Sequence, residues 1–152
     1  METRPGRATN SMTAEPQFVD TNVLVYLFDN DSPEKQSRAR QLLESEAENL
    51  VLSTQVLGEF YVTVTRKLAK PLRPELAREA LDDLCALRVR SVRAELVQAA
   101  VRRSDASQLS YWDALIVETA IDAGAATLLT EDLQHGQVFE GLRVADPFRN
   151  PD

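Results

Sequence analysis

The stretch Gln17-Phe18-Val19-Asp20-Thr21-Asn22-Val23-Leu24 changes character at a single carboxylate. Before Asp20 lies a short apolar run that reads as a buried strand. After it, Thr21 to Phe28 begins a helix, with Asp20 or Thr21 available as N-cap. Asp29-Asn30-Asp31-Ser32 breaks that helix. Pro33 then stands at the favoured first position of another, whose apolar stripe is Ala39, Leu42, Leu43 and Ala47.

The alternation continues outward from there. Leu50-Val51-Leu52 reads as an interior strand, and Ser53 caps a helix that turns Val56, Leu57, Phe60 and Val64 to the core. The two prolines between Lys67 and Pro74 make a loop. A helix from about Glu75 to Ala86 presents Ala77, Ala80, Leu81, Leu84 and Cys85 on one side, so Cys85 reads as a small core residue. Val89 and Val92 form a half-exposed strand among Arg88, Arg90 and Arg93, and Leu96, Val97, Ala100 and Val101 mark the next helix. Ser110 to Ala123 is a further helix, stopped by Gly124. Ala126 to Leu129 and Leu142 to Val144 supply the fourth and fifth strands. Helices alternating with strands imply an α/β fold with a mostly parallel sheet of about five strands, covered on both faces.

Composition bounds the function. The 152 residues suit one domain, expected over 17–148, after a flexible leader 1–16 and before a tail 149–152. The leader is polar and lacks the apolar middle of a signal peptide, and Met12 stands as an alternative start to Met1. No apolar run approaches bilayer length, so no membrane association and a cytoplasmic location are expected. One cysteine excludes an internal disulfide, and one histidine, His135, leaves too few soft ligands for zinc. The net charge of −7 argues against a generic nucleic-acid coat protein but not against a nuclease with an acidic centre.

Four carboxylates carry the chemistry. Asp20 and Asp132 lie just past strand ends, where open parallel α/β sheets form their sites. Asp113 shares a helix face with the apolar Ile116, Val117 and Ala120, and Glu59 borders the Val56–Phe60 stripe beside Gly58. Each has an ordinary reading as well. Asp20 is a helix cap, Asp113 completes a Ser-x-x-acid capping box with Ser110, Asp132 is a turn residue, and Glu59 is a solvated helix acid. Taken together, they read as a convergent cluster. Like charges about 4 Å apart repel by roughly 4 kcal/mol at an effective dielectric of about 20, so such a cluster calls for protons or cations. Oxygen-only ligands suit Mg²⁺ or Mn²⁺, and the chemistry such a site offers is hydrolysis.

These residues carry a family resemblance. Phe18-Val19-Asp20-Thr21-Asn22-Val23-Leu24 resembles the opening motif of PIN-domain ribonucleases. Leu57-Gly58-Glu59-Phe60, Tyr111-Trp112-Asp113-Ala114-Leu115-Ile116 and Leu129-Thr130-Glu131-Asp132-Leu133 resemble the second, third and fourth acidic positions, in order along nearly the whole chain after the leader. Size and local wording are most similar to VapC-type toxins of type II toxin–antitoxin pairs. The resemblance implies a PIN-like three-layer α/β/α sandwich and a metal-dependent endoribonuclease. It implies that Asp20, Glu59, Asp113 and Asp132 bind Mg²⁺ (or Mn²⁺), with Asn22 and Thr130 in support. It also implies an RNA substrate, products with 5′-phosphate and 3′-hydroxyl ends, a VapB-like antitoxin partner and a homodimer. The helices from Pro33 to Glu48 and around Val56 and Phe60 are expected to border the antitoxin groove.

Two other readings share the same residues. A phospho-accepting signalling domain also gathers acids at the sheet edge, but Leu142-Arg143-Val144-Ala145-Asp146-Pro147 lacks the lysine it requires after its last strand. A non-catalytic module would bind metal without turnover. Around the acids, Trp112 and Tyr111 read as packing more readily than as base-stacking platforms, and His135 as a solvated loop residue. Arg66, Lys67, Lys70 and Arg73 form a basic stretch that either steers phosphate or is simply solvated.

Overall fold

Over residues 15–150, the part that the computed structural model describes, the chain winds around one six-stranded sheet. The strands are β1 (Gln17–Val19), β2 (Leu50–Ser53), β3 (Arg88–Arg90), β4 (Thr127–Leu129), β5 (Val138–Phe139) and β6 (Leu142–Ala145). Six α-helices connect them: α1 (Thr21–Val25), α2 (Pro33–Glu46), α3 (Thr54–Arg66), α4 (Pro74–Cys85), α5 (Ala94–Ala106) and α6 (Tyr111–Asp122). All but the last two residues of the expected leader, and the last two of the tail, lie outside the described residues. Among the described residues no helix is long and apolar enough to cross a membrane.

The strand order is β3-β2-β1-β4-β6-β5, parallel throughout except for β5 against β6. The chain steps outward from β1 through β2 to β3, then returns to β4 on the other side of β1. Because parallel crossovers are right-handed, that reversal puts the helices before β3 on one face and α5 and α6 on the other. The packing agrees. α3 packs on α1 and α4, while α5 and α6 pack on each other. Every residue of β2 is buried, as a strand covered on both faces requires. Phe18, Leu52, Phe60, Val117 and Leu128 are fully buried in the main core, and Leu96, Ala100, Ala114 and Leu115 form a smaller cluster between α5 and α6.

Local signals account for the boundaries. Ser53 caps α3 by accepting the Val56 N–H at 3.3 Å. Gly124, at φ 74°, ends α6 in a Schellman turn, with Gly124 N–H donating to Ile121 O and Ala125 N–H to Ala120 O. Arg90 and Arg93 reach from the edge-strand region to Asp122.

Two expectations change. Cys85 is exposed, not part of the core. It is the last residue of α4, about 100° around from the buried Leu84, where the chain already leaves the helix. The sheet also gains β5, a two-residue strand too short to show a periodicity. It folds back on β6 through Glu140 (φ 51°) and Gly141 (φ 93°), both left-handed as a tight hairpin turn requires.

Candidate metal centre

β1 and β4 are neighbours, and the strand order reverses between them, so a crevice opens at their carboxyl ends. Asp20 leaves β1 there, its N–H bonded to Leu129 O at 3.0 Å. Thr130 leaves β4 there, its N–H bonded to Ala145 O at 3.1 Å. These ladder bonds fix the two loops side by side before any side chain acts.

The side chains then interlock. Thr130 Oγ1 donates to Asp20 Oδ2 at 2.8 Å and accepts the Asp132 N–H at 3.0 Å. Asn22 Nδ2 lies 2.9 Å from Asp132 Oδ2, 3.0 Å from Thr130 Oγ1 and 3.3 Å from Asp20 Oδ2, while Asn22 Oδ1 accepts the Glu131 N–H at 3.3 Å. One amide thus spans both loops. On the other side, Thr21 Oγ1 donates to Glu59 Oε1 at 2.9 Å, and Gln55 Nε2 donates to Glu59 Oε2 at 3.1 Å. Asp113 stands at the first turn of α6, where Ser110 Oγ accepts its N–H at 3.1 Å. The ordinary readings therefore coexist with convergence, since Asp20 also caps α1 through the Thr21 N–H at 2.7 Å.

The electrostatics tie all four together. Burial pushes the Asp20 carboxyl up to about 6, opposed by the Thr130 and Thr21 hydrogen bonds and reinforced by the charges of Asp132 and Glu59. Burial also raises Asp113, against its Ser110 bond and with the same two neighbouring acids adding to the shift. Among the described residues no lysine or arginine forms an ion pair with any of the four. Lys35 is committed elsewhere. Its Nζ pairs with Glu131 at 2.8 Å, and Tyr26 also donates to Glu131.

Among the described residues no three His, Cys, Asp or Glu side chains stand close enough to grip a single ion as they are. Asn22 and Thr130 hold Asp20 and Asp132, and Thr21 and Gln55 hold Glu59, so that with Asp113 the acids form a spaced ring instead. The donor set still fits a hard divalent cation. Its ligands are all oxygen, its charges share one crevice, and one of them is buried with its proton affinity raised.

A cavity of about 700 Å³ opens onto this ring between α1 and α3, lined among others by Asn22, Tyr26, Glu59, Val62, Lys67 and Asp132. Lys67 alone of the four basic residues in the 66–73 stretch lines it. α2 lines none of it; its walls come from α1, the turn that follows and α3. Gln55 and Thr21 went unnoticed in the sequence as site residues. Their signals were the four-residue helical spacing from Gln55 to Glu59 and the position next to Asp20. Trp112 is 60% exposed, so it is not the packing residue expected. His135 is an exposed loop residue whose Nδ1 accepts the Asp146 N–H at 3.1 Å.

Solved structures with this fold include the Mycobacterium tuberculosis toxin VapC20, described as cleaving the sarcin-ricin loop. It is 24% identical, with a TM-score of 0.59, over 76% of this chain and 89% of that one. A Klebsiella pneumoniae toxin–antitoxin complex gives 21% identity and a TM-score of 0.64 over 86% and 97%. DNA-bound VapBC from Salmonella typhimurium gives 17% and 0.64 over 88% and 98%. Among curated proteins none matches the sequence. The PIN domain profile matches residues 18–139, which spans β1 through β5 and contains all four acids. On that match, and with the fold it predicts in place, this chain belongs to the PIN domain family.

Proposed function

We propose that this protein is a metal-dependent endoribonuclease, the VapC-type toxin of a toxin–antitoxin pair, with residues 17–148 as its single domain. The observation that carries the reading is the ring of four acids at the β1–β4 switch point, with no basic side chain paired to it among the described residues. The toxin–antitoxin neighbours at full length of their own chains support the biological setting.

Asp20, Glu59, Asp113 and Asp132 would hold Mg²⁺ or Mn²⁺. When bound, such a cation makes water nucleophilic near neutral pH and offsets charge building on the phosphate. The chain's own residues supply the rest. Asn22 and Thr130 lock Asp20 and Asp132 in fixed orientations, and Thr21 and Gln55 do the same for Glu59. Lys67, on the cavity wall, meets the RNA backbone. Water attacks the phosphorus and the 3′-oxygen leaves, giving 5′-phosphate and 3′-hydroxyl ends. The antitoxin would lie in the cavity between α1 and α3, and the toxin would act as a homodimer.

The test is cleavage of a structured RNA by the purified protein with Mg²⁺ or Mn²⁺, with product ends mapped by sequencing. Chelation is expected to stop it. Cleavage that persists in chelator, or ends bearing 2′,3′-cyclic phosphate, refutes the reading. Asn22→Ala is expected to lower Mn²⁺ affinity about 10- to 100-fold, the range typical when a residue that orients ligands is lost. Calorimetric titration of the two proteins checks this.

A further inference from the structure

A second cavity, of about 560 Å³, lies on the far side of Glu59 from the first. Thr54, Gln55, Gly58, Val92, Trp112 and Leu115 line it with Glu59, so Gly58 and Glu59 form the divide between the two cavities. Trp112 is the residue before Asp113, and Tyr111 packs edge-on against it at 4.9 Å between ring centroids. This leaves the indole braced on one side yet 60% exposed, although an aromatic ring of its size gains most from burial. Gln55 supplies a second, independent sign. Its amide nitrogen reaches Glu59 and the Trp112 carbonyl (3.1 and 3.4 Å), but its own carbonyl oxygen is buried with no hydrogen-bond partner among the described residues. A buried acceptor without a donor is costly, and a ligand N–H would relieve it.

We propose that this groove takes an unpaired base of the RNA substrate, stacked on Trp112 with an edge N–H directed to Gln55, next to the bond that is cut. The inference rests on the nuclease reading, and it specifies where the substrate is gripped. A flat π-face, an apolar wall of Val92 and Leu115, and one unsatisfied acceptor match a nucleobase better than a phosphate or an acidic peptide. The groove contains no basic residue. Because base and phosphate belong to one nucleotide, a base seated here brings its own backbone to the rim at Glu59 and Asp113. Stacking tolerates every base, so this contact fixes the register of a single-stranded segment more than it selects one sequence.

Trp112 is the only tryptophan in the chain, so its fluorescence reports on this groove alone. The experiment titrates single-stranded oligoribonucleotide into full-length Asp20→Asn protein, which holds RNA without cutting it, and repeats the titration with an abasic version. Saturable quenching by the first and not by the second supports the proposal. In parallel, Trp112→Ala is expected to raise KM about 5- to 150-fold, from a stacking contribution of about 1–3 kcal/mol, with kcat changed far less and Trp112→Phe restoring most of the loss. A residue that merely propped up Asp113 would lower kcat instead. Three outcomes overturn the inference: equal quenching by the abasic strand, an unchanged KM in an enzyme that cuts RNA, or emission that depends on protein concentration alone. The last would mean that a second copy covers the indole. If the protein cuts no RNA at all, the nuclease reading fails, and the titration still decides whether the groove binds bases.

Discussion

Asp113→Asn protein is expected to cleave RNA on the order of 1,000-fold more slowly than the unaltered chain, while keeping its fold and most of its affinity for RNA. The size follows from what the ring of acids is for. A divalent cation contributes several kcal/mol to stabilising charge at a phosphate, and each 1.36 kcal/mol is tenfold in rate. Asparagine keeps the shape of the side chain but removes the negative charge, so it weakens the grip on the cation without opening a cavity. The local structure should survive. The Ser110 cap accepts the backbone N–H of residue 113, which the substitution leaves in place. Losing a carboxylate from the first turn of α6 forfeits about 0.3–1 kcal/mol of favourable interaction with the helix N-terminus. Relief of the Asp132 and Glu59 repulsion, which helps to raise the Asp113 carboxyl, acts in the opposite direction. Single-turnover cleavage with matched thermal melts in chelator checks both halves. Retained activity would remove Asp113 from the proposed ligand set. Lost activity with a collapsed melting temperature would make its role structural.

Much of this site was legible in the sequence because three of its acids, Asp20, Asp113 and Asp132, sit near where secondary structure changes. Asp20 ends an apolar run and begins a helix, and Asp113 lies three residues after a capping serine, so each could be placed on an element before any coordinates existed. The order of the strands was harder. That β4 returns to pair with β1 depends on long-range pairing, Phe18 with Leu128 and Val19 with Leu129, which no local pattern encodes. The interlocking by Asn22 follows from that pairing, since it joins residues 110 positions apart. Asn22 and Thr130 were readable as supports only through the resemblance, and Gln55 only through its four-residue spacing from Glu59. Cys85 and Trp112 failed for a shared reason. The periodicity of its neighbours points Cys85 inward, and the helix start and the inward Asp113 beside it point Trp112 to packing, yet each lies within two residues of a helix end, where the stripe no longer constrains the side chain. β5 escaped notice because its two residues make sense only against Leu142 and Arg143.

The second large effect is a pH dependence of stability centred on Asp20. Its carboxyl is pushed from an ordinary value of 3.8 up to about 6, first by burial and then by Asp132 and Glu59, despite the hydrogen bonds from Thr130 and Thr21. A folded-state value above the unfolded one means that the folded chain binds the proton more tightly. Asp20 therefore costs almost nothing in the fold below about pH 3, where it is protonated in both states. Its burden grows as pH rises towards 6 and is complete above that. At about 1.36 kcal/mol for each pH unit of separation, the metal-free protein loses about 3 kcal/mol through this one group. Asparagine does not titrate. In chelator, the stability of Asp20→Asn relative to the unaltered chain is thus expected to improve by about 3 kcal/mol between pH 3 and pH 7.5, whatever hydrogen bonds the substitution itself disturbs. Urea denaturation at a series of pH values measures that difference directly, and a flat difference would mean that Asp20 ionises in the fold as freely as in water. Adding Mn²⁺ should offset most of that burden in the unaltered chain at neutral pH. A cation at a hundredfold excess over its Kd stabilises the folded chain by about 2.7 kcal/mol, and it does so only where the carboxylate remains to bind it. The same buried charge that weakens the empty fold is what makes the site favour a cation, so stability and metal affinity at Asp20 should move in opposite directions.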